Sequence, residues 1–146
     1  MGSGCVPATV DAMTSAVRLL RSPSLAPAPY AHAATAPPGS RFILLAGACP
    51  LNRDGTTAAP TDYVEQARVC LHNLEQALAD ADANLTDIVS TRVLVASSER
   101  KDLVAVWEVV SKHFGAHDVP STLIGVVVLG YPDQLVEIEA VAAVSE

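Results

Sequence analysis

The segment "QLVEIEAVAAV" at residues 134–144 carries the pattern that decides the fold. Its side chains alternate as in a β-strand with one face in the core and the other face outside it. The core face is apolar throughout and comprises Val136, Ile138, Ala140, Ala142 and Val144. Glu137 and Glu139 share the opposite face, and no Lys or Arg occurs from residue 114 to the C-terminus. Any cation that faces these carboxylates must therefore come from another strand or another subunit.

The order of elements before this strand predicts an α+β domain. Earlier strands are predicted at residues 31–35, at "RFILLAG" (41–47), at "TDIVSTRVLVAS" (86–97) and at "STLIGVVVL" (121–129). The turn "GYPD" (130–133) predicts that the last two strands form a hairpin. Helices are predicted at residues 61–83, capped by Thr61 or Asp62, and at residues 102–115, where Gly115 ends the helix. One domain at residues 30–146 then follows a flexible, Pro-rich arm at residues 1–29.

Several predicted strands are apolar on both faces. In "RFILL", for example, Phe42 and Leu44 alternate with Ile43 and Leu45. Two helices can cover only one face of a sheet, and an apolar face left in water promotes association. We therefore predict that another subunit covers the second face.

Composition limits the class of protein. Half of the 146 residues are apolar and 17% are charged, as in a single compact globular domain. The net charge is −7 and the nine Lys and Arg residues are scattered, which argues against a nucleic-acid partner. Three cysteines without C-x-x-C spacing indicate free thiols in the cytoplasm. No apolar run has membrane-spanning length and no signal peptide is apparent, so we expect a cytoplasmic protein without a membrane partner.

The two glutamates of the last strand are the main candidates for chemistry. The interpretation favoured from the residues alone is that both are solvated or paired with a neighbouring chain. The alternative is that one of them lies in a half-buried cleft and transfers protons. Arg92 is the one cation that strand alternation places within reach of the same face. A surface or interface ion pair is favoured for Arg92 over a clamp for substrate.

Other reactive residue types give weaker signals. Cys49 follows the small-residue turn "AGA", and a packed thiol is favoured over a reactive one because no paired base is evident. His113 and His117 have the i, i+4 spacing of a metal pair, but Gly115 ends the helix between them and no third ligand is near. We predict neither a metal site nor a bound cofactor.

Six motifs in order resemble those of the Rid family, also called YjgF/YER057c/UK114. They are "PYAHA" (29–33), "AGACPLN" (46–52), "QARVCLHNL" (66–74), "DIVSTRVLV" (87–95), "PST" (120–122) and "LVEIEAVA" (135–142). The resemblance implies the chorismate-mutase-like α+β fold, in which three subunits join their sheets into a central barrel with the helices outside. It also implies ligand clefts between adjacent subunits. Active members of the family hydrolyse enamines and imines, such as 2-aminoacrylate, to a keto acid and ammonia without a cofactor.

The resemblance also suggests which residues form the site. Glu137 matches the family's water-positioning glutamate, and the expected substrate-binding residues are Tyr30, Gly47, Ala48, Cys49, Ser121 and Thr122, with Arg92 as a possible substitute anchor. Two positions depart from the family pattern. Ser121 stands where deaminating members carry a carboxylate-binding arginine, and the loop that usually reads Ser-Gly-Gln is Ala-Gly-Ala at residues 46–48.

Two hypotheses of different class follow from these departures. One is a homotrimeric hydrolase that deaminates an imine or enamine other than an ordinary 2-imino acid. The alternative is a catalytically silent trimer that binds a metabolite or a partner protein. The ribonuclease activity attached to some members is disfavoured here by the acidic charge.

Overall fold

A four-stranded mixed sheet with two helices packed on it forms the domain in the computed structural model, which describes residues 15–146. The strands are β1 (Arg18–Leu20), β2 (Ala33–Thr35), β3 (Arg41–Leu44), β4 (Ile88–Val95), β5 (Ser121–Gly125) and β6 (Val136–Val144). The helices are α1 (Tyr63–Asp80) and α2 (Arg100–Phe114). The main sheet has the order β3-β6-β4-β5, and β1 and β2 form a separate antiparallel pair. This architecture confirms the predicted α+β class.

Strand β6 occupies the centre of the core. It pairs antiparallel with both β3 and β4, and its predicted apolar face is buried from Val136 to Ala142. Strand β5 runs parallel to β4, which is possible because α2 carries the chain back across the sheet. The prediction of which residues of β6 face the core is confirmed.

The predicted hairpin between the last two strands is wrong. Strand β5 ends at Gly125 rather than at residue 129, and β4 lies between β5 and β6. The α2 crossover places β5 on the far side of β4 from β6, so the segment at 126–135 crosses the carboxyl end of β4 before β6 begins. Glu137 consequently faces Leu94 of β4 in register, and not a residue of β5.

Both helices follow from local signals. Asp62 caps α1 by accepting a hydrogen bond from the backbone N–H of Glu65, 3.0 Å away. The inward stripe of α1 is buried at Ala67, Leu71, Leu74 and Leu78. Burial of each leucine side chain stabilises the fold by about 1.5–3 kcal/mol. Helix α2 ends at Gly115, whose φ of 56° is a conformation that glycine adopts readily.

The ordered domain begins before Tyr30. Strand β1 pairs with β2, and Arg21 forms an ion pair with Asp118 on the loop that precedes β5. The predicted flexible arm is therefore wrong for residues 18–20, because a three-residue strand is too short to produce a readable alternation. The part of the arm at residues 1–14 lies outside the described residues.

The face of the sheet opposite the helices exposes large apolar side chains. Phe42 is 65% exposed and Leu44 is 80% exposed, whereas Ile43 between them is buried. Beyond the end of β5, Val127 and Val128 are also exposed. The predicted two-sided apolar pattern is therefore present in the fold. Within residues 15–146, no helix is long and apolar enough to cross a membrane.

Candidate functional site

Glu137 lies beside an irregularity in the pairing of β3 with β6. Leu44 pairs with Val141, whereas Ala48 pairs with Ile138. The chain therefore advances four positions after β3 while β6 advances three, which leaves one extra residue on the β3 side. Ala48 and Ile138 exchange both backbone hydrogen bonds, at 2.7 and 3.1 Å. The extra residue makes the segment at 45–47 bulge from the sheet, as in other β-bulges. The loop that follows β3 is thereby held against the Glu137 side chain.

Gly47 leaves the space that the Glu137 side chain occupies. A Cβ atom at position 47 would lie 2.8 Å from Cδ of Glu137 and 3.1 Å from its Cγ and Oε1. Distances below 3.0 Å are essentially never seen for real Cβ atoms, so any other residue would push the carboxyl group away. The requirement for glycine here is one of close approach.

The two oxygens of Glu137 differ in their contacts. The thiol of Cys49 donates to Oε1 across 2.9 Å, and Nε2 of Gln134 lies 3.5 Å from the same oxygen. Among residues 15–146, no hydrogen bond engages Oε2. Glu137 also lines an open cavity of about 270 Å³ together with Leu44, Gly47 and Arg92. Oε2 is therefore the oxygen that remains available to water or a ligand.

Cys49 is held in its protonated form. Burial, the hydrogen bond to Glu137 and the negative charge of that residue together raise the pKa of its thiol to about 12, with burial the largest cause. Thiolate is the nucleophilic form of cysteine, so a thiol with this pKa is a poor nucleophile near neutral pH. The environment favours the packed thiol over the reactive one, with the addition that this thiol acts as a hydrogen-bond donor.

Arg92 pairs with Glu139 and not with Glu137. The two residues face each other on β4 and β6, with Nη1 of Arg92 3.5 Å from Oε2 of Glu139. Their side chains are 57% and 41% exposed, so solvent screens the pair and its contribution to stability is about 0–1 kcal/mol. This is the ion pair that strand alternation favoured. The two glutamates thus have different partners, a guanidinium for one and a neutral thiol for the other.

Tyr30, Ser121 and Thr122 lie at the β5 edge of the sheet, away from β3 and the loop that contacts Glu137. They line a groove of about 460 Å³ with Trp107 and Leu123. The ring of Tyr30 meets Trp107 edge to face, with centroids 6.1 Å apart, which is a favourable aromatic geometry.

Ser121 and Glu137 are kept apart within one chain. The Ser121 hydroxyl accepts a hydrogen bond from Oγ1 of Thr91 at 2.8 Å, and Thr91 is buried on the helix-facing side of β4. Glu137 lies on the other face of the sheet, and β4 separates its strand from β5. A single chain therefore brings Glu137 together with Gly47, Ala48 and Cys49, and places Tyr30, Ser121 and Thr122 in a second group.

Two glutamines and an asparagine support the site and were missed in the sequence. Nε2 of Gln66, a fully buried residue, donates to the carbonyls of Ala59 and Asp133 at 3.1 and 2.9 Å, while its Oε1 accepts from the N–H of Leu135 at 2.7 Å. A usable signal existed for Gln66, because it falls on the four-residue spacing of the buried α1 stripe, four residues before Cys70.

Asn73 and Gln134 hold the other contacts. Nδ2 of Asn73, on α1, donates to the carbonyls of Cys49 and Leu51 at 2.9 and 3.0 Å. Gln134 is buried and donates mainly to the carbonyl of Val136 at 3.1 Å. Asn73 stands in the motif at residues 66–74, but its partners lie on another loop, whereas Gln134 contacts residues within three positions of itself.

The two histidines at metal-pair spacing have separate partners. Nε2 of His113 lies 2.5 Å from Oε1 of Glu75, whereas Nε2 of His117 donates to the carbonyl of Ile88 at 2.8 Å. Across residues 15–146, no group of three or more His, Cys, Asp or Glu side chains is arranged to hold a metal ion.

Comparison with known proteins assigns the family. The family model described as endoribonuclease L-PSP matches residues 22–144. The chain is also 32% identical over 130 residues to the RutC family protein UK114 of Drosophila melanogaster, covering 89% of this chain and 92% of that protein. The chain belongs to the Rid (YjgF/YER057c/UK114) family.

Solved structures of Rid-family proteins share the fold. YyfB from Yersinia pestis, described as a Rid protein of unknown function, matches with a TM-score of 0.80 and 28% identity over 88% of this chain and 99% of its own. TdcF from E. coli, solved with bound serine, matches with a TM-score of 0.62 and 27% identity over 82% of this chain and 91% of its own. The predicted chorismate-mutase-like Rid fold is thereby confirmed.

Proposed function

We propose that this Rid-family chain hydrolyses a small imine or enamine in a cleft between subunits, and that its substrate is not an ordinary 2-imino acid. The observation that carries the proposal is the arrangement of Glu137. One oxygen is held by Cys49, while the other is free of hydrogen bonds within residues 15–146 in a side chain that borders an open cavity. A carboxylate held in this way can take a proton from a water molecule and return it to a substrate.

The chemistry needs one water and one proton carrier. Oε2 of Glu137 accepts a proton as the water oxygen attacks the imine carbon, and the glutamic acid returns that proton to the nitrogen, which gives a neutral tetrahedral carbinolamine. In a second cycle Glu137 takes the proton of the carbinolamine hydroxyl and passes it to the amine nitrogen as the C–N bond breaks, so that the hydroxyl becomes the carbonyl and ammonia leaves. Imine and water thus give a carbonyl compound and ammonia, and Glu137 ends as it began. An enamine enters the same route after protonation at its carbon.

The second group of residues explains the proposed substrate class. In the groove at the β5 edge, Tyr30, Trp107, Ser121, Thr122 and Leu123 contribute no charged side chain. Loss of one partner from a buried arginine–carboxylate contact costs about 2–5 kcal/mol, or roughly thirty- to several-thousand-fold in binding. Arg92 lines the cavity beside Glu137 and not this groove, and it lies on a different face from Ser121. A substrate carboxylate bound in the groove would therefore lack a strong anchor.

A homotrimer would complete the site. The exposed apolar residues, Phe42 and Leu44 on the open sheet face and Val127 beyond the end of β5, are suited to burial against a second copy. The two groups of candidate residues lie on different parts of one chain, so adjacent subunits would each contribute one group to a shared cleft. The serine bound to TdcF supports a small polar metabolite as the general class of ligand.

The decisive experiment is an ammonia-release assay on matched imines with and without a carboxylate. We expect turnover of the neutral imine and weak turnover of the acid. Glu137→Gln should lower kcat by about 100- to 10,000-fold, the usual contribution of a general acid–base, with the oligomer intact. Glu139→Gln is the matched control on the same strand and face, and it should be nearly silent. A larger loss from Glu139→Gln would show that the wrong carboxylate has been chosen.

The alternative is a silent trimer that binds a metabolite or a partner protein. It is favoured by the absence of an arginine at position 121 and by the Ala-Gly-Ala loop at residues 46–48. No ammonia release from any imine, together with saturable ligand binding that survives Glu137→Gln, would support it. Ribonuclease activity, which the description of the family model suggests, is opposed by the net charge of −7.

A further inference from the structure

We propose that Cys49 is a positioning residue, whose thiol anchors Oε1 of Glu137 so that Oε2 stays directed to the cavity. The contact itself is independent of any reaction, while its catalytic consequence rests on the proposed function. Three observations support the proposal: the geometry of the contact, the fixation of Cys49 and the protonation state of the thiol.

The geometry leaves Cys49 as the principal donor to Glu137. Its sulfur lies 2.9 Å from Oε1, while Gln134 is 3.5 Å from the same oxygen and uses the same nitrogen for a shorter bond to the carbonyl of Val136. The usual limit for a good N–H···O bond is about 3.2 Å, so the Gln134 contact is weak. Removal of the thiol would leave the ionised oxygen without a strong partner among residues 15–146.

Cys49 is itself held from two sides. The preceding residue, Ala48, is locked to Ile138 by a pair of backbone hydrogen bonds, and the carbonyl of Cys49 accepts a bond from Asn73 on α1. The next residue, Pro50, is fully buried. A donor on backbone this constrained can restrict a flexible glutamate, which would otherwise sample several rotamers.

The thiol is in the form that the role requires. With its pKa raised to about 12, Cys49 carries a proton at neutral pH and can donate it in a hydrogen bond to the carboxylate. Serine could replace this function, because a hydroxyl also donates, whereas valine fills a similar volume and cannot donate. The pair Cys49→Ser and Cys49→Val therefore separates donation from packing.

The contact is tested first without any substrate, by the alkylation rate of Cys49 followed by peptide mass mapping against pH. Glu137→Gln removes the negative charge that raises the thiol pKa, so we expect the rate to rise about tenfold, the equivalent of one pKa unit. Glu139→Gln, the matched control, should leave the rate unchanged. An equal rate in wild type and Glu137→Gln would overturn the contact.

The positioning role is tested by steady-state kinetics on the neutral imine. Cys49→Val should lower kcat by about ten- to hundredfold, the range of a hydrogen bond to a charged group, with KM little changed. Cys49→Ser should recover most of that loss. Equal activity in both variants and wild type, or equal loss in both variants, overturns the role. If the wild type turns over no imine, both the proposed function and the catalytic role of Cys49 are refuted. The alkylation result would still show whether the hydrogen bond between Cys49 and Glu137 exists.

Discussion

Replacement of Gly47 by alanine is the most direct perturbation of Glu137 that leaves both the carboxylate and the thiol in place. The new Cβ would lie 2.8 Å from Cδ of Glu137, whereas ordinary contacts begin at 3.4 Å, so the carboxyl group has to move by about 0.6 Å to restore an ordinary contact. The crowded atoms belong to the end of a flexible side chain and not to backbone. We therefore expect the glutamate to move and the fold to stay.

The expected effect on activity exceeds the effect on stability. A 1 Å misplacement of a catalytic group can cost about a hundredfold, so a shift of this size should lower kcat by about tenfold or more. Overpacking costs about 1–3 kcal/mol, and the value for Gly47→Ala should lie at the low end because Glu137 borders an open cavity. Ammonia release measures the first effect and urea unfolding measures the second.

Gly130→Ala is the matched control, since no atom lies within 4 Å of the Cβ it would add. It should change neither activity nor stability. Alkylation of Cys49 gives an independent readout, because displacement of Glu137 lengthens the hydrogen bond that raises the thiol pKa and should speed the reaction. Wild-type turnover by Gly47→Ala would refute the reasoning, as would loss of activity that follows loss of the fold.

Three further predictions concern the fold, the assembly and the substrate. Gly125→Ala places a Cβ 2.8 Å from the backbone carbonyl of Ser97, which cannot rotate away, so the urea midpoint should fall by the equivalent of about 1–3 kcal/mol; an unchanged midpoint contradicts this. Leu44→Asp should convert the proposed homotrimer to a folded monomer, read by light scattering with circular dichroism as the check on folding; a persistent trimer argues against the open sheet face as the interface. Ser121→Arg should raise turnover of 2-imino acids several-fold by supplying a bidentate cation, and no gain would show that the missing arginine is not what limits that substrate.

The elements whose signals are local were predictable from the sequence. Asp62 and Gly115 mark helix ends by their own conformational preferences, and the spacing of apolar residues in α1 gives its buried stripe. Strand alternation placed Arg92 on the same side as the glutamates, and the ion pair with Glu139 followed from that parity.

The features that depend on which distant segments become neighbours were not predictable. The hairpin prediction failed because alternation in β5 and β6 is the same whether they pair or lie on opposite sides of β4. The hydrogen bond from Cys49 to Glu137 joins residues 88 apart in sequence, and it exists only because the bulge after β3 turns the thiol toward β6. No short stretch of sequence contains both the bulge after β3 and the glutamate on β6 that this hydrogen bond requires.

Helix α1 acts as a spacer between the two loops that flank Glu137. Gln66 forms hydrogen bonds with the loop before β6, while Asn73 forms hydrogen bonds with the loop after β3. These two side chains are seven residues apart, about two helical turns, so they project from the same side of one rigid rod about 10 Å apart along its axis. Movement of α1 would carry both loops with it. Substitutions on the solvent side of this helix, far from the cavity, can therefore alter the surroundings of Glu137. A chimera that takes α1 from a relative would also take the distance that this helix sets between the two loops.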